Sequence, residues 1–284
     1  MAVLTPRTVD EVVAALVDAP DSDLLGGGTD LMVEVNFGHR RPRQVIALDR
    51  VRELGDIEII GDRLRIGAGV TYRRMCGEPF TSLAPVIAQA ARTVGSPQIR
   101  NAGTLGGNLA TASPAGDLLP PLVALDAVIE LAGTGGRRRV AISDFLIGPK
   151  RTDRRPDEVV VAAEVPILNG AQEYLKVGTR NAMVISVAGV ALVVDRAGGA
   201  VACALGSVGP TILRCSEAEA AIAARVDWSM MSVPADAVAQ FADLVGRAAR
   251  PIDDHRSTAA YRRHAVTVCA RRAAERVLVV EDAS

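Results

Sequence analysis

The sequence predicts an α+β fold in two domains, and three observations carry that expectation. The chain has 284 residues, 49% of them hydrophobic, enough to bury a sizeable core and at the upper edge of what one core holds. Its first half alternates short β-type runs with helical patterns. Its C-terminal part follows a β-hairpin with alanine-rich helical patterns, the mark of a small sheet covered by helices.

Thr8-Val9-Asp10-Glu11 has the form of a capping box, and Val12, Val13 and Leu16 follow at helical spacing, so a helix is expected from Thr8 to near Pro20. Leu24-Leu25, then Gly26-Gly27-Gly28-Thr29-Asp30, then Leu31-Met32-Val33-Glu34 read as strand, glycine turn and helix. Val45 to Leu48 is expected as a buried strand. Ile57–Ile60 and Arg63–Gly67 alternate on either side of Gly61-Asp62, a hairpin signal. A helix is expected from Leu83 to about Val94. From Gly95 to Asp117 almost no periodicity remains, and a loop of 23 residues inside a compact protein asks for a functional reason.

Beyond it, Val128–Leu131 and Arg139–Ile142 are expected as strands around a turn at Gly133–Gly136, with Arg137-Arg138-Arg139 as a solvated strand edge. Charges and proline from Lys150 to Asp157 mark a surface excursion. Composition shifts around Pro166 to Gln172, which places the domain boundary there. Ser186–Val194 and Ala200–Leu205 form a hairpin about residues 195–199, and helices follow at Ser216–Ala224, Asp236–Ala249 and Ser257–Val277. There are no repeats and no low-complexity tract.

Composition excludes several function classes. With 23% charged residues and a net charge of −1, nothing draws the chain to nucleic acid or to an anionic membrane surface. The basic residues are 30 arginines and two lysines, Lys150 and Lys176. Cys76, Cys203, Cys215 and Cys269 are widely spaced with no C-x-x-C, which argues against a zinc site, an iron–sulfur cluster or a disulfide framework. No metal site is expected, since His39, His255 and His264 also lack ligand spacing. The N-terminus lacks a basic stretch followed by a long apolar run, and no segment approaches the roughly 18 apolar residues of a membrane span. The expectation is a cytoplasmic protein without membrane insertion. A hydrolase reading fails because Ser207 in Gly206-Ser207-Val208-Gly209 lacks the glycine two residues before it.

The chemistry resides in the glycine segments. Backbone N–H groups of a glycine turn approach an anion closely, and a following helix adds its free amides. Gly26 to Asp30 fits that description, although a tight turn alone has the same sequence. It is neither a G-x-G-x-x-G fingerprint, because Leu31 occupies the third glycine position, nor a Walker A loop, because the chain has no glycine-lysine pair. A second segment, Gly103-Thr104-Leu105-Gly106-Gly107-Asn108, lies within the long aperiodic stretch. Two such loops would hold one extended diphosphate from both sides. Thr104, Asn108, Thr111 and Ser113 offer hydroxyls and an amide, and Asp117 a carboxylate for ribose or ribityl hydroxyls.

Leu24-Leu25-Gly26-Gly27-Gly28-Thr29-Asp30-Leu31, together with the run from Gln98-Ile99-Arg100-Asn101 through Gly103-Thr104-Leu105-Gly106-Gly107-Asn108 to Ser113-Pro114-Ala115-Gly116-Asp117, closely resembles the FAD-binding (medium) subunit of the molybdenum hydroxylase family, of xanthine dehydrogenase and carbon monoxide dehydrogenase type. The resemblance extends through Asp144-Phe145, Gly148-Pro149, Lys176 with Arg180, Asp254-His255-Arg256 and Tyr261-Arg262. It implies two α/β FAD-binding subdomains of the PCMH type, at about 1–52 and 53–170, with the flavin between them. A C-terminal domain of a small antiparallel sheet with helices would occupy 171–284. It further implies that Leu24, Leu25, Gly26, Gly27, Gly28, Thr29, Asp30 and Leu31 form one diphosphate loop and Thr104, Leu105, Gly106, Gly107 and Asn108 the other. Asp117 would meet the hydroxyls of the flavin's sugar chain. Val94 and Val160 would lie against the isoalloxazine or adenine, Val94 standing where some relatives carry an aromatic. Lys176 matches a flavin-contacting lysine whose cation stabilises negative charge on a reduced flavin.

No catalytic residue is expected from the protein, because the chemistry is carried by FAD. The resemblance implies partners that this chain does not contain: a molybdopterin-binding large subunit and a small subunit with two [2Fe-2S] clusters, assembled as a dimer of heterotrimers. Electrons from the partner clusters would pass through FAD to NAD, a quinone or oxygen. Two alternatives stand beside this reading. One is a self-contained FAD oxidoreductase of a related fold, which would turn over its own substrate. The other is a scaffold subunit without flavin, which would purify colourless.

Overall fold

The computed structural model describes residues 2–281. The chain divides into two compact units, each assembled from separate stretches of sequence. The first contains the chain up to Met75 with Ser96–Ala112 and Asp126–Pro166; the second contains Cys76–Gly95, Ser113–Leu125 and the chain from Ile167 on. The fold is mixed helix and sheet, as expected.

The first unit holds two sheets. Ala2–Leu4 (β1), Asp23–Leu25 (β2) and Gln44–Ala47 (β3) pair in parallel in the order β1-β3-β2. The helix Val9–Asp18 links β1 to β2 and buries Val12 and Leu16 as expected, with Val9 in the core where the sequence suggested Val13, which is only half-buried. Thr8 caps it by accepting from the Glu11 N–H at 3.2 Å, while Glu11 accepts from the Arg7 N–H at 2.6 Å, one residue earlier than a standard capping box. Thr8→Ala is expected to cost about 1 kcal/mol, read as a lower urea midpoint with an unchanged slope.

Ile57–Ile60 (β4), Arg63–Gly67 (β5), Val128–Gly133 (β6) and Gly136–Ala141 (β7) belong to the second sheet, while Leu146–Gly148 (β8) and Arg151–Thr152 (β9) make a separate small hairpin. Val159–Pro166 (β10) completes the second sheet, which is antiparallel in the order β4-β5-β10-β6-β7. Residues 159–165 of this central strand are all buried. Its register against β6 shifts between Val160 and Ala162, a bulge of the kind that re-aims side chains. The edge strand β7 does carry Arg137-Arg138-Arg139, but these side chains are not simply solvated. Arg137 pairs with Glu130 and Glu53, Arg138 with Glu158 and Asp153, and Arg139 with Glu164, at 2.5–2.7 Å.

The stretch expected as a long loop contains two short helices, Pro97–Ala102 and Leu105–Thr111. Their signals are the caps rather than periodicity. Ser96 precedes a proline at the first helical position and accepts from the Ile99 N–H; Thr104 accepts from the Gly107 N–H. Neither helix is long enough to repeat an apolar stripe.

In the second unit Gln172–Val177 (β11), Ala188–Asp195 (β12), Ala200–Gly206 (β13) and Leu213–Arg214 (β14) form an antiparallel sheet in chain order. The helices Ser216–Ala223, Ala235–Ala248 and Ala259–Val277 cover it, and Val190, Leu192, Leu205, Phe241, Val245 and Val266 lie in one buried cluster. Cys203, Cys215 and Cys269 belong to this core as small apolar fillers. Ser232–Pro234 (β15) and Val279–Glu281 (β16) make a short parallel pair. The helices Pro85–Thr93 and Leu119–Ala124 also belong to this unit. Among the described residues no helix is long and apolar enough to cross a membrane.

Candidate functional site

Strand β2 ends at Leu25 and delivers the chain into the glycine turn. A Cβ on Gly27 would stand 1.7 Å from the carbonyl oxygen of Ala102, so only glycine permits the approach of this turn to the second glycine segment. Gly28 has φ +70°, in the left-handed region, and the helix Leu31–Asn36 starts three residues later. From Gly26 to Leu31, six consecutive backbone N–H groups make no hydrogen bond to any described residue. Such a run is a ready donor surface for an oxyanion.

The second glycine segment is built differently. Leu105 donates its N–H to the Val70 carbonyl at 2.9 Å and Gly106 to that of Ala68 at 2.7 Å. Gly107 donates to Thr104 Oγ1 at 3.1 Å and Asn108 to the Thr104 carbonyl at 3.1 Å. Apart from that of Thr104, its amides are committed to the protein, so this segment contributes mainly a wall and side chains. Asn108 Oδ1 is buried without a partner, an acceptor left over by the fold.

Both segments face a cleft of about 410 Å3 within the first unit. Leu24, Gly26, Gly27, Thr104, Gly106 and Gly107 line it from the glycine side, Val159 and Val160 from β10, and Leu48, Val51, Leu54 and Ala68 complete an apolar wall. Asp49, Arg52 and Arg154 bring charge to it. Of the remaining sequence-predicted residues in this unit, Leu105 is turned into the core at 1% exposure, and Asp30 accepts from Thr111 Oγ1 at 3.3 Å.

Val94, Asp117 and Lys176 belong to the second unit. Val94 ends the Pro85–Thr93 helix. The Lys176 ammonium donates to Asp117 Oδ2 at 2.6 Å and to the Thr93 carbonyl at 3.1 Å, and the Tyr174 hydroxyl donates to Asp117 Oδ1 at 3.0 Å. All three side chains are buried. Burial pushes the Asp117 carboxyl up and the adjacent ammonium opposes it; burial and Asp117 together hold the Tyr174 hydroxyl well above its ordinary range. The third Lys176 N–H has no acceptor among the described residues. Tyr174 and Arg154 escaped the sequence reading. Strand β11 was not foreseen, and Arg154 lies in a charged run that reads as surface.

A family model described as the FAD binding domain in molybdopterin dehydrogenase matches residues 1–168, and one described as the CO dehydrogenase flavoprotein C-terminal domain matches residues 173–277. The chain belongs to the FAD-binding subunits of the molybdenum hydroxylases. It is 36% identical to the nicotinate dehydrogenase FAD-subunit of Eubacterium barkeri over 68% of this chain and 69% of that one. It is similar to the solved carbon monoxide dehydrogenase from Hydrogenophaga pseudoflava, with 30% identity, a TM-score of 0.88 and coverage of 97% of this chain and 96% of that chain. Against quinoline 2-oxidoreductase from Pseudomonas putida 86 the TM-score is 0.90 at 26% identity, covering 98% and 96%. This flavoprotein subunit is accordingly an oxidoreductase subunit with FAD as its cofactor. Its residues suit a dinucleotide: unspent amides at Gly26 and Gly27 on the cleft wall for a phosphate, and an apolar cleft for a planar ring.

Proposed function

We propose that the chain holds FAD noncovalently and is the electron-transfer station of a molybdenum hydroxylase complex, taking electrons from a partner's iron–sulfur clusters and passing them to NAD, a quinone or oxygen. The observation that carries this reading is the run of unspent N–H groups that starts at Gly26 and Gly27 on the wall of the cleft and continues to Leu31. The glycine turn binds the diphosphate through Leu24 to Leu31, with Thr104 and Asn108 opposite. Val160 and Val94 offer apolar surface to the ring systems. Asp117 holds sugar hydroxyls on its remaining lone pairs, and Lys176 directs its open N–H to the flavin. FAD supplies the redox chemistry when bound, and no side chain is needed as acid or base.

Four cysteines at wide spacing cannot hold a cluster in the usual local pattern, so the clusters belong to a partner; membership of the family implies that this is a small subunit, that a large one carries the molybdopterin, and that the assembly is a dimer of heterotrimers. The test is copurification of the chain with the products of its neighbouring genes, followed by cofactor analysis. One FAD per copy of this chain is expected, with its visible absorbance bleached by the complex's substrate only when the cluster subunit is present. A colourless complex sinks the reading in favour of a scaffold, and substrate turnover by the isolated chain sinks it in favour of a self-contained oxidoreductase.

A further inference from the structure

Arg154 on the cleft spends only one of its guanidinium nitrogens on the protein. Arg154 sits among carboxylates that other groups have taken: Arg138 holds Glu158 and Asp153, each at 2.6 Å, and Thr134 holds Asp157 at 2.6 Å. Arg154 itself makes no ion pair among the described residues. Its Nη1 donates to the backbone carbonyls of Glu158 at 2.6 Å and Arg155 at 3.0 Å, which fixes the guanidinium, while Nε and Nη2 have no acceptor among the described residues. Neither of these nitrogens is sealed from solvent. An arginine held by carbonyls and bypassed by three nearby carboxylates is a fork kept for something else.

We propose that Arg154 is a cofactor-binding residue whose guanidinium engages the diphosphate of the dinucleotide. This rests on the FAD reading above. The cleft that Arg154 lines is the one lined by Gly26 and Gly27, and its size puts them within reach of one ligand. In oxidised FAD the groups ionised at neutral pH are the two phosphates; the isoalloxazine and the adenine are neutral. The glycine turn supplies uncharged donors, so a diphosphate in a largely apolar cleft calls for a cation beside it; Arg52 also lines the cleft but is exposed, whereas the Arg154 guanidinium is half-buried and fixed by two carbonyls. Burial lowers the pKa of the Arg154 guanidinium, and the nearby Glu158 and Asp157 carboxylates offset this only in part.

The experiment titrates the flavin-free 284-residue chain with FAD and with ADP, which has the diphosphate but no flavin, at low and high salt. It compares the wild type with Arg154→Met and Arg154→Lys, folding being verified by circular dichroism. Arg154→Met is expected to weaken both ligands about 10- to 100-fold and to flatten the salt dependence of binding. Arg154→Lys keeps the charge but not the fork and is expected to lose less; it carries the test alone if the methionine variant does not fold. Wild-type affinity in every folded variant overturns the proposal, as does loss of FAD with ADP unchanged, which would put the guanidinium on the flavin half. A wild-type chain that binds ADP but not FAD overturns the cofactor reading and leaves the diphosphate contact standing; one that binds neither overturns both.

Discussion

Gly27→Ala is expected to weaken FAD binding about 100-fold or more and to lower the stability of the chain as well. The cause is steric: the added Cβ would stand 1.7 Å from the Ala102 carbonyl oxygen, and a backbone atom has no rotamer by which to withdraw. Either the Gly26–Leu31 turn or the Pro97–Ala102 helix must move by more than an ordinary repacking allows, at a cost of about 1–3 kcal/mol or somewhat above. Because the free N–H groups of Gly26 and Gly27 on the cleft wall lie on the displaced turn, the donors proposed for the phosphate are lost along with the packing. A charge-assisted amide contact contributes about 1.5–3 kcal/mol, so losing two accounts for the expected factor. Gly135→Ala is the control, since a Cβ there meets nothing within 4 Å and its φ is not positive. Flavin titration and urea unfolding of both variants decide the matter. Affinity in Gly27→Ala equal to that in Gly135→Ala would remove the glycine turn from the site.

The same residues show what a sequence makes legible. The Thr8 cap, the strand and glycine turn at Leu24–Asp30 and the hairpin about Gly61-Asp62 are local features, each specified by neighbours within a few positions. Strand β10 left no such trace, because residues 159–165 are all buried and a strand buried on both faces shows no alternation. The grouping of 76–95 and 113–125 with the later part of the chain depends on packing between distant stretches, which periodicity does not encode. Arg154 was illegible for a related reason. Whether an arginine is paired depends on which carboxylates its rivals take, and here Arg138 arrives from β7 to claim two of them. The glycine segments looked equivalent in sequence; only the acceptors at Val70 and Ala68 separate the one with spent amides from the one with free amides.

Lys176→Met is expected to cost about 3–5 kcal/mol at neutral pH, the penalty for leaving the Asp117 carboxylate buried without its ammonium. Both side chains are only 7% exposed, so solvent screens the loss little. The pH dependence carries the mechanism. Burial raises the folded pKa of Asp117 even with Lys176 beside it, and removing the cation raises it further. A carboxyl whose folded pKa exceeds its unfolded value favours the fold when protonated. Its contribution is complete below the unfolded value, about 4, and is lost as pH rises through the folded one. The deficit of Lys176→Met relative to wild type should therefore be smallest in acid and widen towards neutral pH. Adding Asp117→Asn to Lys176→Met removes the stranded charge and should recover part of the loss, with a coupling of about 1–3 kcal/mol in the double-mutant cycle. Urea unfolding of the four chains across that pH range reads all of this; a single-variant cost below about 1 kcal/mol with no pH trend would sink it. Flavin binding separates the structural role from the proposed contact. Where the open N–H of Lys176 meets the flavin, the double variant regains stability without regaining FAD affinity, because asparagine restores neutrality and supplies no cation.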